Sequence, residues 1–269
     1  MYADIKNFIT TKYSRKELGY LKDFFPQADE KFLEEWNNIH LRLFYQLKHQ
    51  IKILYPNATL HVITNEKSNN DKKIIYHYFD FECSHVIKLF MYGLLSEPSV
   101  YLDSDIVLYK KFKKEHLETN NDFNFYWYID TNLQQFSPVD LPMKFTKLYN
   151  AGIVNICNPM KKTTNDMFDI HYKYFNTGSC HVSDETSASV YVALNNLKMI
   201  EKKEVNVQRT ICENDFYKQQ SVHYVGCYIG QKHKCFNEYK SHSLAYKKNV
   251  FLKLNSRTRI WTPCVPYNA

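Results

Sequence analysis

Glycine is scarce in this chain of 269 residues: there are six, Gly19, Gly93, Gly152, Gly178, Gly226 and Gly230, against an average usage of about 7%. Their spacing forms neither a phosphate-cradling Walker loop nor a dinucleotide-binding G-x-G-x-x-G, so P-loop ATPases and classical NAD enzymes find no support. Long apolar runs are also lacking. No stretch approaches the roughly 18 residues that would cross a bilayer, and Met1-Tyr2-Ala3-Asp4-Ile5-Lys6 lacks the charged-then-apolar layout of a secretion signal. The seven cysteines are an odd number, widely spaced and without a C-x-x-C pair, which gives neither a disulfide framework nor a zinc site. They read as small hydrophobes in a reducing compartment. The expectation is a cytoplasmic chain with no integral membrane segment, in which the sequon at Asn57 is idle. A finger, a homeodomain, an RNA-recognition signature and a basic–aromatic stripe are all missing, so no nucleic-acid partner is expected.

What is present is ordinary globular composition, 44% hydrophobic and 23% charged, in a chain long enough to bury a core without staples. The net charge of +7 permits an anionic ligand. The cluster at Lys110, Lys111, Lys113 and Lys114 reads as well as a solvated face. Lys6 to Thr11 reads as a short strand. Phe32, Trp36, Ile39, Leu43 and Leu47 recur at helical spacing up to Ile51, and Pro56 closes that helix. Leu60 to Ile63 reads as a buried strand, Asn65 to Lys73 as a polar loop, and Ser84 to Leu95 as a helix with Ile87, Phe90, Met91 and Leu94 on one face. Further strands are expected at 123–129 and 151–156, a helix at 184–197, a late strand or turn at 221–228, and a wrapping tail over 241–269. Strand–helix alternation predicts an α/β chain with a mixed, mainly parallel sheet flanked by helices. Ligands of such sheets sit at the carboxyl ends of the strands.

The most informative segment is Val100 to Leu108, where Asp103-Ser104-Asp105 interrupts an apolar run. Buried carboxylates lose hydration heavily unless something offsets it, either a strand end open to solvent, a basic partner or a metal. Read as one extended strand, residues two apart project to the same side. Asp103 and Asp105 would then converge on one divalent cation, and hard oxygen ligands suit Mg²⁺ or Mn²⁺. The plainer reading is a pair of strand-end carboxylates in a turn.

The span Ser84 to Lys88, then Tyr101-Leu102-Asp103-Ser104-Asp105-Ile106-Val107 and Lys110-Lys111-Phe112, resembles the core of GT-A glycosyltransferases, where a helix bearing a basic residue leads into a Y-L-D-x-D strand. It is most similar to glycosyltransferase family 8, the glycogenin and galactosyltransferase group, with some likeness to family 32. Tyr149 to Ile156 resembles the N-A-G segment of family 8. Asp184-Glu185 with Leu194-Asn195 resembles its later D-Q element, and His223-Tyr224-Val225-Gly226 with Lys232 a loosened form of its closing H-x-G-x-x-K. The likeness implies a single GT-A domain over about 1–240, with a nucleotide-sugar-binding half (1–110) followed by an acceptor and catalytic half (111–240).

That resemblance implies transfer of a hexosyl or pentosyl group from a nucleotide sugar, most often a UDP-sugar, to a hydroxyl on a carbohydrate or glycoconjugate, with retention. It implies Mn²⁺ or Mg²⁺ held by Asp103, Asp105 and His223. Thr10, Tyr13, Lys88, Asp103, Ser104, Gly152, Gly226 and Lys232 (or Lys234) would bind the donor, with Gly152 letting the chain turn close to it. Asp184, Glu185 and Asn150 would approach the donor sugar and acceptor. Here Glu185 stands where the family has Gln, and an ionisable carboxylate beside the anomeric carbon can act as nucleophile, charge stabiliser or base. Two other readings remain open. Asp103-Ser104-Asp105-Ile106-Val107 satisfies the D-x-D-x-[TV] strand of haloacid-dehalogenase-type phosphatases, although about a hundred residues precede it. The altered H-x-x-G also fits a non-catalytic nucleotide-sugar- or carbohydrate-binding protein.

Overall fold

The computed structural model describes residues 1–12, 30–66, 74–80, 84–118, 125–130, 148–174, 183–197, 207–208, 221–223, 253–254 and 261–262. In chain order these form β1 (Asn7–Lys12), α1 (Glu30–Leu54), β2 (Thr59–Thr64), β3 (Ile74–Tyr78) and α2 (Ser84–Ile87), which continues as a 3-10 turn over Lys88–Gly93. Then come β4 (Ser99–Leu102), β5 (Ile106–Leu108), α3 (Lys114–Leu117), β6 (Phe125–Asp130), β7 (Leu148–Ile156), α4 (Lys161–Tyr174) and α5 (Ser183–Leu194). The short strands β8 (Val207–Gln208), β9 (Ser221–His223), β10 (Lys253–Leu254) and β11 (Trp261–Thr262) follow.

The main sheet has the order β3-β2-β1-β4-β7-β6. Its first four strands are parallel, and β7 and β6 add antiparallel. Alternation along the strands sorts side chains into two layers. Phe8, Val62, Val100 and Leu102 face Leu43, Leu47, Ile51 and Leu54 of α1. Ile9, Ile63 and Tyr101 face α2, α4 and α5 through Val86, Met91, Met167 and Ala188. Each large apolar side chain buried in this way contributes about 1.5–3 kcal/mol. Because α1 follows β1 to one side and the later crossover returns through α2 to β4, strand order reverses between β1 and β4. That reversal opens a crevice at their carboxyl ends, the usual ligand position in such sheets.

Several elements differ from the sequence reading. Val100 to Leu108 is not one strand: β4 belongs to the main sheet, whereas β5 pairs with β9 in a small sheet of order β5-β9-β8. Between them Asp103-Ser104-Asp105 makes a turn closed by Ile106 N–H donating to the Asp103 carbonyl at 3.1 Å. Aspartate and serine favour that geometry because their short side chains bond nearby backbone. The helix expected over 84–95 has a single α turn before tightening to 3-10. Its end abuts α4 so closely that a Cβ on Gly93 would lie 2.7 Å from the Lys161 Cα. Tightening buries Lys88, Leu89, Met91 and Tyr92 and leaves Phe90 and Leu94 half-buried. Elements that escape the sequence reading include β3, α3, α4 and β8. In the tail, Lys253–Leu254 and Trp261–Thr262 pair antiparallel.

Candidate active site

The crevice between β1 and β4 is lined by buried polar groups at the strand ends. Asp103, Ser104 and Asp105 are each 8% exposed. The turn places the two carboxylates two residues apart on one tight loop, in place of the extended-strand alternation inferred from sequence. Asp103 N–H donates to the Gly152 carbonyl at 2.8 Å, extending the β4–β7 ladder by one bond beyond Leu102↔Ile153. Gly152 therefore lies inside a strand, not at a chain turn, and serves the site through its carbonyl.

The 3-10 turn aims Lys88 into this pocket. Its Nζ lies 2.9 Å from Asp103 Oδ1 and 3.1 Å from Asp184 Oδ2, and donates to Asp103 Oδ2 at 3.0 Å. All three side chains are buried, so each charge depends on the others for the solvation it has lost. Asp184 and Glu185 occupy the first turn of α5, where the helix's positive end favours carboxylates. Glu185 Oε1 accepts from the Ala151 N–H at 3.3 Å. That amide is spared for it by a register skip in β6–β7: Trp127 pairs with Val154, and the next residue, Tyr128, pairs with Asn150. Bulges of this kind recur beside active sites. From α4, the buried His171 faces Asp184. Burial pushes its pKa down, and the Asp184 charge pulls the other way.

Among the residues expected from sequence, the structure thus gathers Lys88, Asp103, Ser104, Asp105, Gly152, Asp184 and Glu185. Thr10 lies at the end of β1, 1% exposed, its hydroxyl without a hydrogen-bond partner among the described residues. Asn150 and His223 enter through their backbones. Asn150 sits in β7, and His223 pairs with Ile106, next to Asp105 in the chain. Tyr13, Gly226, Gly230, Lys232 and Lys234 lie outside the described residues. Sequence reasoning missed three participants: Thr11, Tyr101 and His171. Tyr101 OH lies 2.5 Å from Asp103 Oδ1, and Thr11 Oγ1 lies 3.2 Å from Tyr101 OH. The signal available for Tyr101 was its place in the Y-L-D-S-D run. Thr11 lies in the Thr10 to Tyr13 stretch that the family likeness assigns to the base, whereas His171 carried no signal.

For a divalent cation, the donor chemistry fits. Hard carboxylate oxygens from Asp103 and Asp105 share one buried turn. Among the described residues no three His, Cys, Asp or Glu side chains are grouped to hold a metal ion. The third ligand expected from sequence, His223, is described by its backbone alone.

By sequence, the chain matches no family model and no curated protein. By structure, it is similar to the galactosyltransferase LgtC in complex with donor and acceptor sugar analogs, with a TM-score of 0.53 at 10% identity over 94% of this chain and 99% of that one. It is also similar to the glycosyltransferase GlyE of Streptococcus pneumoniae TIGR4, with a TM-score of 0.54 at 10% identity over 97% of this chain and 66% of that one. The fold is the GT-A fold. The sheet order and its antiparallel extension by β7 and β6 are parts of that fold. No described helix of that scaffold is long and apolar enough to cross a membrane.

Proposed function

We propose that this chain is a metal-dependent glycosyltransferase of the family 8 type. It moves a sugar from a UDP-sugar to a hydroxyl on a carbohydrate or glycoconjugate, with retention. The observation that carries this reading is the buried Asp103-Ser104-Asp105 turn, clamped by Lys88 to Asp184, at the switch point of a GT-A sheet. In this reading residues up to about 110 bind the nucleotide sugar, and those from 111 to 240 supply acceptor and catalytic groups.

Asp103 and Asp105, with His223, would hold Mn²⁺ or Mg²⁺, which when bound supplies Lewis-acid stabilisation of the departing diphosphate. The rest is the chain's own work. Lys88 holds the acidic turn and Asp184 in one rigid unit, so neither must reorganise as charge develops. Thr10 offers the donor a hydroxyl that has no other described partner, and Tyr13 the face on which a base stacks. Lys232 or Lys234 neutralises phosphate charge. Glu185, steadied by the Ala151 amide, places a carboxylate beside the anomeric carbon, where it stabilises positive charge on the sugar. Asn150 orients the sugar and acceptor. The phosphatase reading needs Asp103 as a free nucleophile, but its carboxylate is engaged by both Lys88 and Tyr101, which lowers its reactivity.

The test is a thermal-shift panel of nucleotide sugars and UDP with and without Mn²⁺. UDP should raise the melting temperature only with the metal, and Asp105→Ala should abolish that rise without unfolding the chain. A metal-dependent rise that survives in Asp105→Ala removes Asp105 from the site. Turnover of p-nitrophenyl phosphate that disappears in Asp103→Asn would favour the phosphatase. Donor binding without hydrolysis or transfer would favour a binding protein.

A further inference from the structure

We infer that Tyr101, backed by Thr11, is a positioning residue that fixes the Asp103 carboxylate for the nucleotide donor; this rests on the function proposed above. Both hydroxyl-bearing side chains are sealed from solvent, each at 0% exposure, so neither is satisfied by bulk water. A tyrosine hydroxyl has a single proton to donate, and an ionised carboxylate only accepts. The Tyr101 proton therefore points to Asp103 Oδ1 at 2.5 Å, within the range of charge-assisted O–H···O⁻ bonds. With that proton committed, the 3.2 Å contact between Thr11 Oγ1 and Tyr101 OH has only one available polarity: Thr11 donates. The result is a directed chain, Thr11 to Tyr101 to Asp103, in which each bond polarises the next.

The chain runs from the end of β1 to the end of β4, across the two strands whose divergence opens the crevice. It grips Asp103 from the core side, while Lys88 grips it from the 3-10 turn. Two independent anchors on one carboxylate set its rotamer before any ligand arrives. A site built this way loses less freedom on binding than one whose ligand group must first be ordered. The Tyr101 ring packs in the second core layer beside Ile9 and Val154, so its position is set by packing independent of the hydroxyl.

That separation makes the inference testable. Tyr101→Phe keeps the ring and removes the hydroxyl. Thr11→Val keeps the shape and removes the donor, and Thr11→Ser restores the donor. The readout is titration of UDP into the protein with Mg²⁺ by calorimetry. Tyr101→Phe should weaken binding about tenfold and Thr11→Val about twofold, while Thr11→Ser binds as the wild type does. The double variant Tyr101→Phe/Thr11→Val should bind no worse than Tyr101→Phe, because Thr11 acts only through the hydroxyl that is gone. In the metal-free protein, the wild type should show a solvent-protected hydroxyl proton resonance that Tyr101→Phe and Asp103→Ala both lose. Binding by Tyr101→Phe within twofold of wild type, or a Thr11→Val penalty that adds in full to it, overturns the positioning role alone. Wild-type protein that binds no UDP with Mg²⁺ overturns the proposed function and this inference with it.

Discussion

Two polar clusters sit in the same parallel half of the sheet and solve burial in opposite ways. At the carboxyl ends of β1 and β4, charges are kept: Lys88 lies between Asp103 and Asp184. At the β3 edge, charge is shed. His61 Nδ1 and His77 Nε2 lie 3.0 Å apart, with their ring centroids 5.3 Å apart. The nitrogens therefore lie close to the line between the rings and share one proton. Burial lowers the pKa of His61 to about 4, reinforced by His77 and opposed by Glu97, which Asn7 holds at 3.1 Å. Burial lowers His77 as well. In the first cluster the desolvation of ionised groups is offset by their mutual pairing; in the second the imidazoles are held towards the neutral form by burial.

That contrast breaks most readily at Lys88. Lys88→Met leaves Asp103 and Asp184 buried without their shared cation, and stability to urea should fall by about 3–5 kcal/mol. A loss below about 1 kcal/mol would mean the carboxylates have another means of neutralisation. The edge cluster should show itself only in acid. A histidine whose folded pKa lies below its unfolded value of 6.5 binds fewer protons when native, so its contribution to stability is whole above that pH. It is lost as pH falls from 6.5 towards about 4. His61→Gln, which keeps a hydrogen-bonding side chain but does not titrate, should flatten this acid limb in melting curves taken across that window and leave pH 8 behaviour nearly unchanged. An equally steep limb in the variant would assign it elsewhere. The smallest effect belongs to Lys162 and Asp166, an exposed i,i+4 pair at 2.7 Å. Lys162→Ala should leave the melting temperature unchanged, since solvent already serves both charges.

The legible parts of this chain are those where one physical demand dominates the residue choice. α1 announces itself because Leu43, Leu47 and Ile51 must meet the sheet at helical spacing, and β1 and β2 because short apolar runs end in polar loops. α4 was missed because Met167 and Ile170 are its only buried apolar side chains and stand in a largely polar run. β3 was missed because an edge strand buries little: Ile75 and Tyr78 remain exposed. In the site, Asp103 and Asp105 stood out as charges within an apolar run, and Lys88 and Asp184 through the family likeness. Thr11, Tyr101 and His171 are polar groups whose partners come from distant strands and helices. Tyr101 and Thr11 are marked only by the motif stretches they sit in, and nothing local marks His171.

The skipped register in β7 has a consequence for how the molecule can change. Measured against β4, β7 is continuous from Ile153 to Ile156; measured against β6, it has residues to spare between Asn150 and Val154. The outer strand is thus geared loosely to the inner one. Lengthening or shortening the chain on the β6 side can be absorbed by that slack without dragging the Asp103–Gly152 bond out of place. Such a scaffold can vary its outer wall while its acidic turn stays put.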